Sequence, residues 1–273
     1  MRRNWIEGIE GAGLLAALAL AVGACGGAAG DARETAAETA PLEEASTPEP
    51  GVESASSYTV VEVTNGGTIR GTVRFVGAVP APQTITVTED AETCGGLRQV
   101  ETLRVGGNKG LADAVVSLVD IASGAALEMP TSPPVLDQRE CGFRPHVLFA
   151  PAGATVEVLN SDPIMHNVHT LTFENRPLNR AQPPGVRKID VTFRVPEKVK
   201  VGCDVHDWMG AWIVVIDHPY HALTDRDGNF VIEDVPPGTY TLEAWHEALG
   251  ASSHTVTVTS GETTSVSLEM SKG

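Results

Sequence analysis

Four side chains carry the chemistry legible in this sequence: the thiol of Cys203, the imidazoles of His166 and His206, and the thioether of Met209. Three of them share the run Cys203-Asp204-Val205-His206-Asp207-Trp208-Met209, a C-x2-H-x2-M spacing, while His166 stands well upstream. A thiolate, two imidazoles and a thioether form a soft, mixed donor set that suits both Cu(I) and Cu(II), the thioether as weak axial ligand. Zinc takes Cys and His but gains little from Met. The short spacing places three donors on one loop, so the backbone wraps an ion from one side and a distant His closes the other. The expected centre is one copper ion of the blue, electron-transferring kind. Singly, Met209 reads as core filler, His206 as a surface or capped imidazole and Cys203 as an inert buried thiol. Only together, at this spacing, do they read as ligands. His169, three residues after His166, competes with it for the fourth place.

Donors of this kind need rigid supports, and the chain offers strands. Runs of β-like alternation occur at 68–75, 114–119, 147–149, 155–159, 188–195, 199–202 and 212–216, separated by turn-forming clusters such as Ala150-Pro151-Ala152-Gly153 and Asn160-Ser161-Asp162-Pro163. No segment carries a long 3.6-residue apolar period, so the expected fold class is all-β with little helix. His166 then falls at the end of a strand beyond the second turn cluster. Cys203 closes one strand, Trp212 opens the next, and the ligand run is the loop between them.

The first 57 residues belong to another kind of structure. Arg2 and Arg3 precede an apolar run, residues 11–24, of signal-peptide length and too short to cross a bilayer. Its end, Val22-Gly23-Ala24-Cys25, resembles the lipobox of bacterial lipoproteins, which implies cleavage after residue 24 and acylation of Cys25. A plain secretory signal is the alternative. The Arg2-Arg3 pair is also loosely similar to a twin-arginine signal. Residues 26–57 hold seven acids against the single Arg33, so −6 of the formal charge of −16 lies on a tether too polar to fold. With no basic patch to neutralise phosphates, nucleic acid is excluded as a partner. The expected location is the cell envelope: exported, lipid-anchored to the membrane, periplasmic or on the cell surface. In that oxidising compartment, with Cys25 lipidated, the simplest division pairs Cys94 with Cys141 and leaves Cys203 as a thiolate.

The ligand loop resembles that of the cupredoxins, and within them the amicyanin type with the same C-x2-H-x2-M spacing. Met165-His166-Asn167-Val168-His169 is similar to the segment carrying the family's upstream ligand, and Cys141-Gly142-Phe143-Arg144-Pro145-His146-Val147 with Gly153, Thr155-Val156 and Asn160 to the approach to it. The resemblance covers roughly residues 111–217. It implies a Greek-key β-sandwich, His166 as ligand, Asn167 as the amide tying the His166 and Cys203 loops, and His206 near the surface as the electron's exit. It further implies a non-enzymatic carrier serving a redox partner such as a cytochrome or dehydrogenase, with Trp208 and Trp212 either a docking patch or core. Copper storage or delivery, and a scaffold or adhesion lipoprotein with a vestigial site, are the competing readings.

After residue 217 the pattern changes to Leu223-Thr224-Asp225-Arg226-Asp227-Gly228-Asn229-Phe230 and Val235-Pro236-Pro237-Gly238-Thr239-Tyr240. Residues 218–270 resemble the carboxypeptidase regulatory-like, transthyretin-like domain, which implies a second small, non-catalytic sandwich. That family's opening strand is similar to 69–75, so segment 58–110 is expected to lend a strand to this sandwich, with the copper domain inserted between. The expected order is leader 1–24, lipidated Cys25 and tether to 57, β segment 58–110, copper domain 111–217 and C-terminal sandwich 218–273. His218, His221, His246 and His254 lack ligand spacing and read as surface or packing residues.

Overall fold

A computed structural model describes residues 58–272; the expected leader, Cys25 and the expected tether lie outside the described residues. In chain order come β1 (Thr59–Val60), β2 (Gly67–Phe75), β3 (Thr84–Thr86), the single helical turn α1 (Ala91–Cys94), β4 (Leu97–Gln99), β5 (Val115–Val119) and β6 (Ser123–Gly124). The middle of the chain supplies β7 (Val135–Gln138), β8 (Phe143–Arg144), β9 (Val147–Pro151), β10 (Thr155–Asn160), β11 (His166–Leu171), β12 (Asn179–Gln182), β13 (Lys188–Thr192), β14 (Glu197–Gly202) and β15 (Gly210–Ile216). Then follow β16 (His221–Leu223), β17 (Asn229–Val235), β18 (Gly238–His246), β19 (Gly250–Val258) and β20 (Thr263–Met270). The protein is all-β.

The middle strands form a sandwich of two sheets, ordered β13-β10-β7-β8 and β12-β11-β14-β15-β9. Strand alternation dictates what lies between them: Val156 and Val158 of β10 face Val168, Val199, Val201 and Ile213 of the other sheet in one apolar cluster that also takes in Cys203 and Met209. The donors are thus held at the edge of a packed core rather than on free loops.

A second sandwich pairs a sheet β16-β5-β18-β19 with a sheet β17-β2-β20. Here β2 lies between β17 and β20, running parallel to β20 from Thr68 opposite Thr263 to Phe75 opposite Met270. The boundary expected at residue 111 sits later in the chain. β5 belongs to this second sandwich, paired with β18 from Val115 opposite Trp245 to Val119 opposite Thr241, and Leu111, Ala114, Val116 and Leu118 are in its core. Alternation along 114–119 reveals a buried face but not which sheet covers it, and β18 supplies the partner edge. Gly71 of β2 is required by close packing, since a Cβ there would lie 2.5 Å from the Val266 carbonyl oxygen and 2.8 Å from the Phe230 ring.

The two sandwiches share a smaller apolar cluster of Val115, Val147, Val214 and Ile216, with Trp212 and Trp245 edge to face at 4.8 Å between ring centres. Beside it, half-buried Glu247 accepts a hydrogen bond from Trp212 Nε1 at 2.9 Å and pairs with Nε2 of buried His146. Burial disfavours the His146 cation, but the Glu247 carboxylate outweighs it and lifts the imidazole above its ordinary 6.5. Burial likewise opposes the Glu247 anion, yet His146 and the Trp212 N–H hold it below 4.5. The raised imidazole contributes its stability in full below its unfolded pKa and loses it as pH rises through the folded value. The depressed carboxylate contributes above its unfolded pKa and loses it as pH falls through its folded value. The pair is therefore worth most between pH 4.5 and 6.5. Thermal unfolding followed against pH is expected to show Glu247→Gln most destabilised relative to wild type in that window, the gap narrowing as pH rises beyond it.

Candidate metal centre

Antiparallel pairing of β11 with β14, His169 opposite Gly202, sets the start of β11 beside the end of β14. His166 opens β11 and Cys203 immediately follows β14, so residues far apart in sequence meet at one end of one sheet. The loop from Cys203 turns back through a hydrogen bond from Met209 N–H to the His206 carbonyl, 3.0 Å, before β15 begins. His166, Cys203 and His206 are all buried, and one donor atom from each lies within 4.8 Å of the others. The contacts are His166 Nδ1 to His206 Nδ1 at 3.0 Å and Cys203 Sγ to His206 Nδ1 at 3.8 Å. Met209 is buried in the same apolar cluster as Cys203.

His169 is elsewhere. Three positions along a strand is an odd offset, which turns its side chain to the opposite face from His166. There its Nδ1 lies 2.8 Å from Asp204 Oδ1 in an exposed hydrogen bond.

Each clustered imidazole has a carboxylate on its other nitrogen: His166 Nε2 lies 2.9 Å from Asp162 Oδ2, and His206 Nε2 lies 3.0 Å from Asp90 Oδ2. A carboxylate can only accept, so Nε2 carries a proton in both rings, and in a neutral ring this leaves the Nδ1 lone pair directed inward. Burial pushes the His166 pKa down, the nearby His206 ring adds to the fall, and the opposing Asp162 carboxylate does not offset them. The two Nδ1 atoms, 3.0 Å apart beside the Cys203 sulfur, converge on one buried point that a proton or a metal cation can occupy, and the donor types fit a soft metal ion.

Asn167 joins the two ligand segments. Its backbone N–H donates to Cys203 Sγ at 3.3 Å, its side-chain oxygen accepts from Asp204 N–H at 3.1 Å, and its Nδ2 donates to Asn179 at 2.7 Å. Behind Asp162 stands a buried polar layer. Gln138 Nε2 donates to Gln182 Oε1 at 2.7 Å, Asn160 Nδ2 donates to the Gln182 carbonyl at 2.8 Å, and Asn160 Oδ1 accepts from Asp162 N–H at 3.0 Å. Asp162 was legible only as part of a turn cluster, whereas Asp90 carried no signal of its own.

Cys94 and Cys141 form a disulfide. Cys203 is free and buried. The His206 side chain is 0% exposed, because the segment carrying Asp90 lies over its edge and Trp208 packs 5.0 Å from its ring. Trp212 packs edge to face on Trp245 and donates to Glu247 between the sandwiches. Of the remaining imidazoles, His218 stacks on His221 at 4.2 Å, His246 accepts from Ala248 N–H, and His254 meets Ser252.

A family model described as polysaccharide lyase family 4, domain II, matches residues 196–266, running from β14 into β20. It is this description, not that of the carboxypeptidase regulatory-like domain, that the comparison returns for the C-terminal part of the chain. No curated protein matches. Among solved structures the chain is similar to a copper-containing nitrite reductase from Thermus scotoductus, at 25% identity over 37% of this chain with a TM-score of 0.30, and spans only 25% of that enzyme. It is also similar to a purple cupredoxin from Nitrosopumilus maritimus, at 19% identity over 30% of this chain and 99% of that one, TM-score 0.27. A variant of amicyanin in its oxidised state gives 22% identity over 33% of this chain and 87% of that one, TM-score 0.29.

Removing the buried Asn167 side chain takes away the acceptor of the Asp204 N–H and the donor to Asn179 Oδ1, unlinking the two segments. Asn167→Ala is expected to lower unfolding stability by about 1–3 kcal/mol, read by denaturant titration, and to speed amide hydrogen exchange at Asp204.

Proposed function

We propose that this chain carries single electrons, holding one copper ion between His166, Cys203, His206 and Met209, and is tethered to the cell envelope by lipid on Cys25. One observation carries the reading: two imidazole nitrogens and a thiol converge in a buried space, each imidazole backed by a carboxylate on its other nitrogen. Copper bound there would supply one-electron exchange between Cu(I) and Cu(II).

The surrounding residues serve that chemistry by staying still. His166 and Cys203 are attached to hydrogen-bonded strands, and the Asn167 N–H steadies the thiolate and withdraws charge from it. Asp162 and Asp90 keep Nδ1 of each ring turned inward. A full donor set buried from solvent leaves no place for a substrate, which supports a carrier over an enzyme. The same burial disfavours delivery, which needs an ion that an acceptor can reach. The partner is a redox protein, a cytochrome or a dehydrogenase.

The copper-loaded protein is expected to be intensely blue and to give reversible voltammetry, with Cys203→Ser colourless. Stoichiometric copper in a colourless wild-type protein would refute the proposal, and ready loss of copper to a weak chelator would favour delivery.

A further inference from the structure

The segment from β3 through α1 to β4 belongs to neither sandwich. Its two strands pair only with each other, Thr84 opposite Gln99 to Thr86 opposite Leu97. It is pinned to the first sandwich by Val87 and Cys94, both buried in that core, and by the disulfide from Cys94 to Cys141. At its tip Asp90 adopts a left-handed backbone, φ 50° and ψ 33°, and precedes α1 at the N-cap position. An Asp in that place ordinarily turns its carboxylate onto the free N–H groups of the helix it begins. Here it makes no such cap. The carboxylate is directed instead at Nε2 of His206, 3.0 Å away, while its own side chain remains 42% exposed.

Cys141 extends the same arrangement to the other imidazole. Its N–H donates at 2.8 Å to Asp162 Oδ2, the oxygen that faces His166 Nε2, and its carbonyl accepts from Trp208 Nε1 at 3.1 Å. One disulfide therefore joins the piece of chain that orients His166 to the piece that covers His206.

We infer that Asp90 is a positioning residue of the copper centre, borne on a disulfide-pinned cover, which orients His206 through Nε2 and adds a negative charge beside the ion. The inference rests on copper binding at the donor cluster and goes beyond it. A carboxylate next to the imidazole favours the more highly charged Cu(II) over Cu(I), so it lowers the reduction potential. The cover also takes the His206 edge away from any partner, so docking occurs on another face.

The test uses full-length, copper-loaded protein with Asp90→Ala and Asp90→Asn, measuring copper affinity by chelator competition and reduction potential by voltammetry. Asp90 is partly exposed, so both variants are expected to fold. Asp90→Ala should weaken Cu(II) binding about 10- to 100-fold, the range for a lost outer partner of a metal-bound His, and raise the potential. Asp90→Asn keeps an acceptor but not the charge, so it should raise the potential while retaining most of the affinity. A blue wild type whose Asp90→Ala form has the same affinity and potential overturns this inference alone. A wild type that takes up no copper overturns it together with the copper reading.

Discussion

The pairing of β11 with β14 is the constraint on which the centre depends. It places the first residue of one strand beside the residue that follows the other, and so converts a long separation in sequence into the 3.3 Å contact between the Asn167 N–H and Cys203 Sγ. Both strands lie in a five-stranded sheet whose inner face is packed with Val168, Val199, Val201 and Ile213. Packing of that density leaves little freedom to slide, and a slip of one residue would turn His166 to the wrong face. The cost of holding polar donors in such a place is met by partners on every side: Asp162 and Asp90 for the rings, the Asn167 N–H for the sulfur.

Those partners come from separate parts of the chain, and this shapes the architecture around them. Asp162 sits in the turn before β11 and is steadied by Asn160, itself bonded to the Gln182 carbonyl of β12 in the other sheet. Asp90 arrives from a small hairpin that would have no fixed position without the core residues Val87 and Cys94 and the bond to Cys141. Burial of a charge or a polar ring is tolerable only when its hydrogen bonds are made, so the loops around the cluster are constrained by satisfaction of these groups as much as by apolar packing.

The second sandwich is interlaced with the first in sequence. Its strands β2 and β5 precede the donor-bearing sandwich and β16 to β20 follow it, so the chain leaves one sandwich to build the other and returns. The contact between them is part apolar, through Val115, Val214 and the Trp212–Trp245 pair, and part polar, through His146, Glu247 and the Trp212 N–H. Because Trp212 is the third residue of β15, the strand leaving the loop that carries Cys203 and His206, that contact also anchors the far end of the loop.

The all-β class, the low helix content and the loop carrying Cys203, His206 and Met209 were determined by the sequence alone, because alternation, turn residues and short spacings are local properties. The same holds for the early strand at 69–75, whose apolar alternation marks it as half-buried wherever it pairs. What only the tertiary structure decided concerns groups that meet across long separations. Strand parity put His166 with Cys203 and His206 and sent His169 to Asp204. Sheet pairing gave β5 to the second sandwich, which no periodicity could specify because a buried face does not name its cover. The cover over His206, and Asp90 at its tip, depend on a disulfide and two core residues acting at a distance, and an isolated Asp before a short helix carries no trace of the imidazole it will meet.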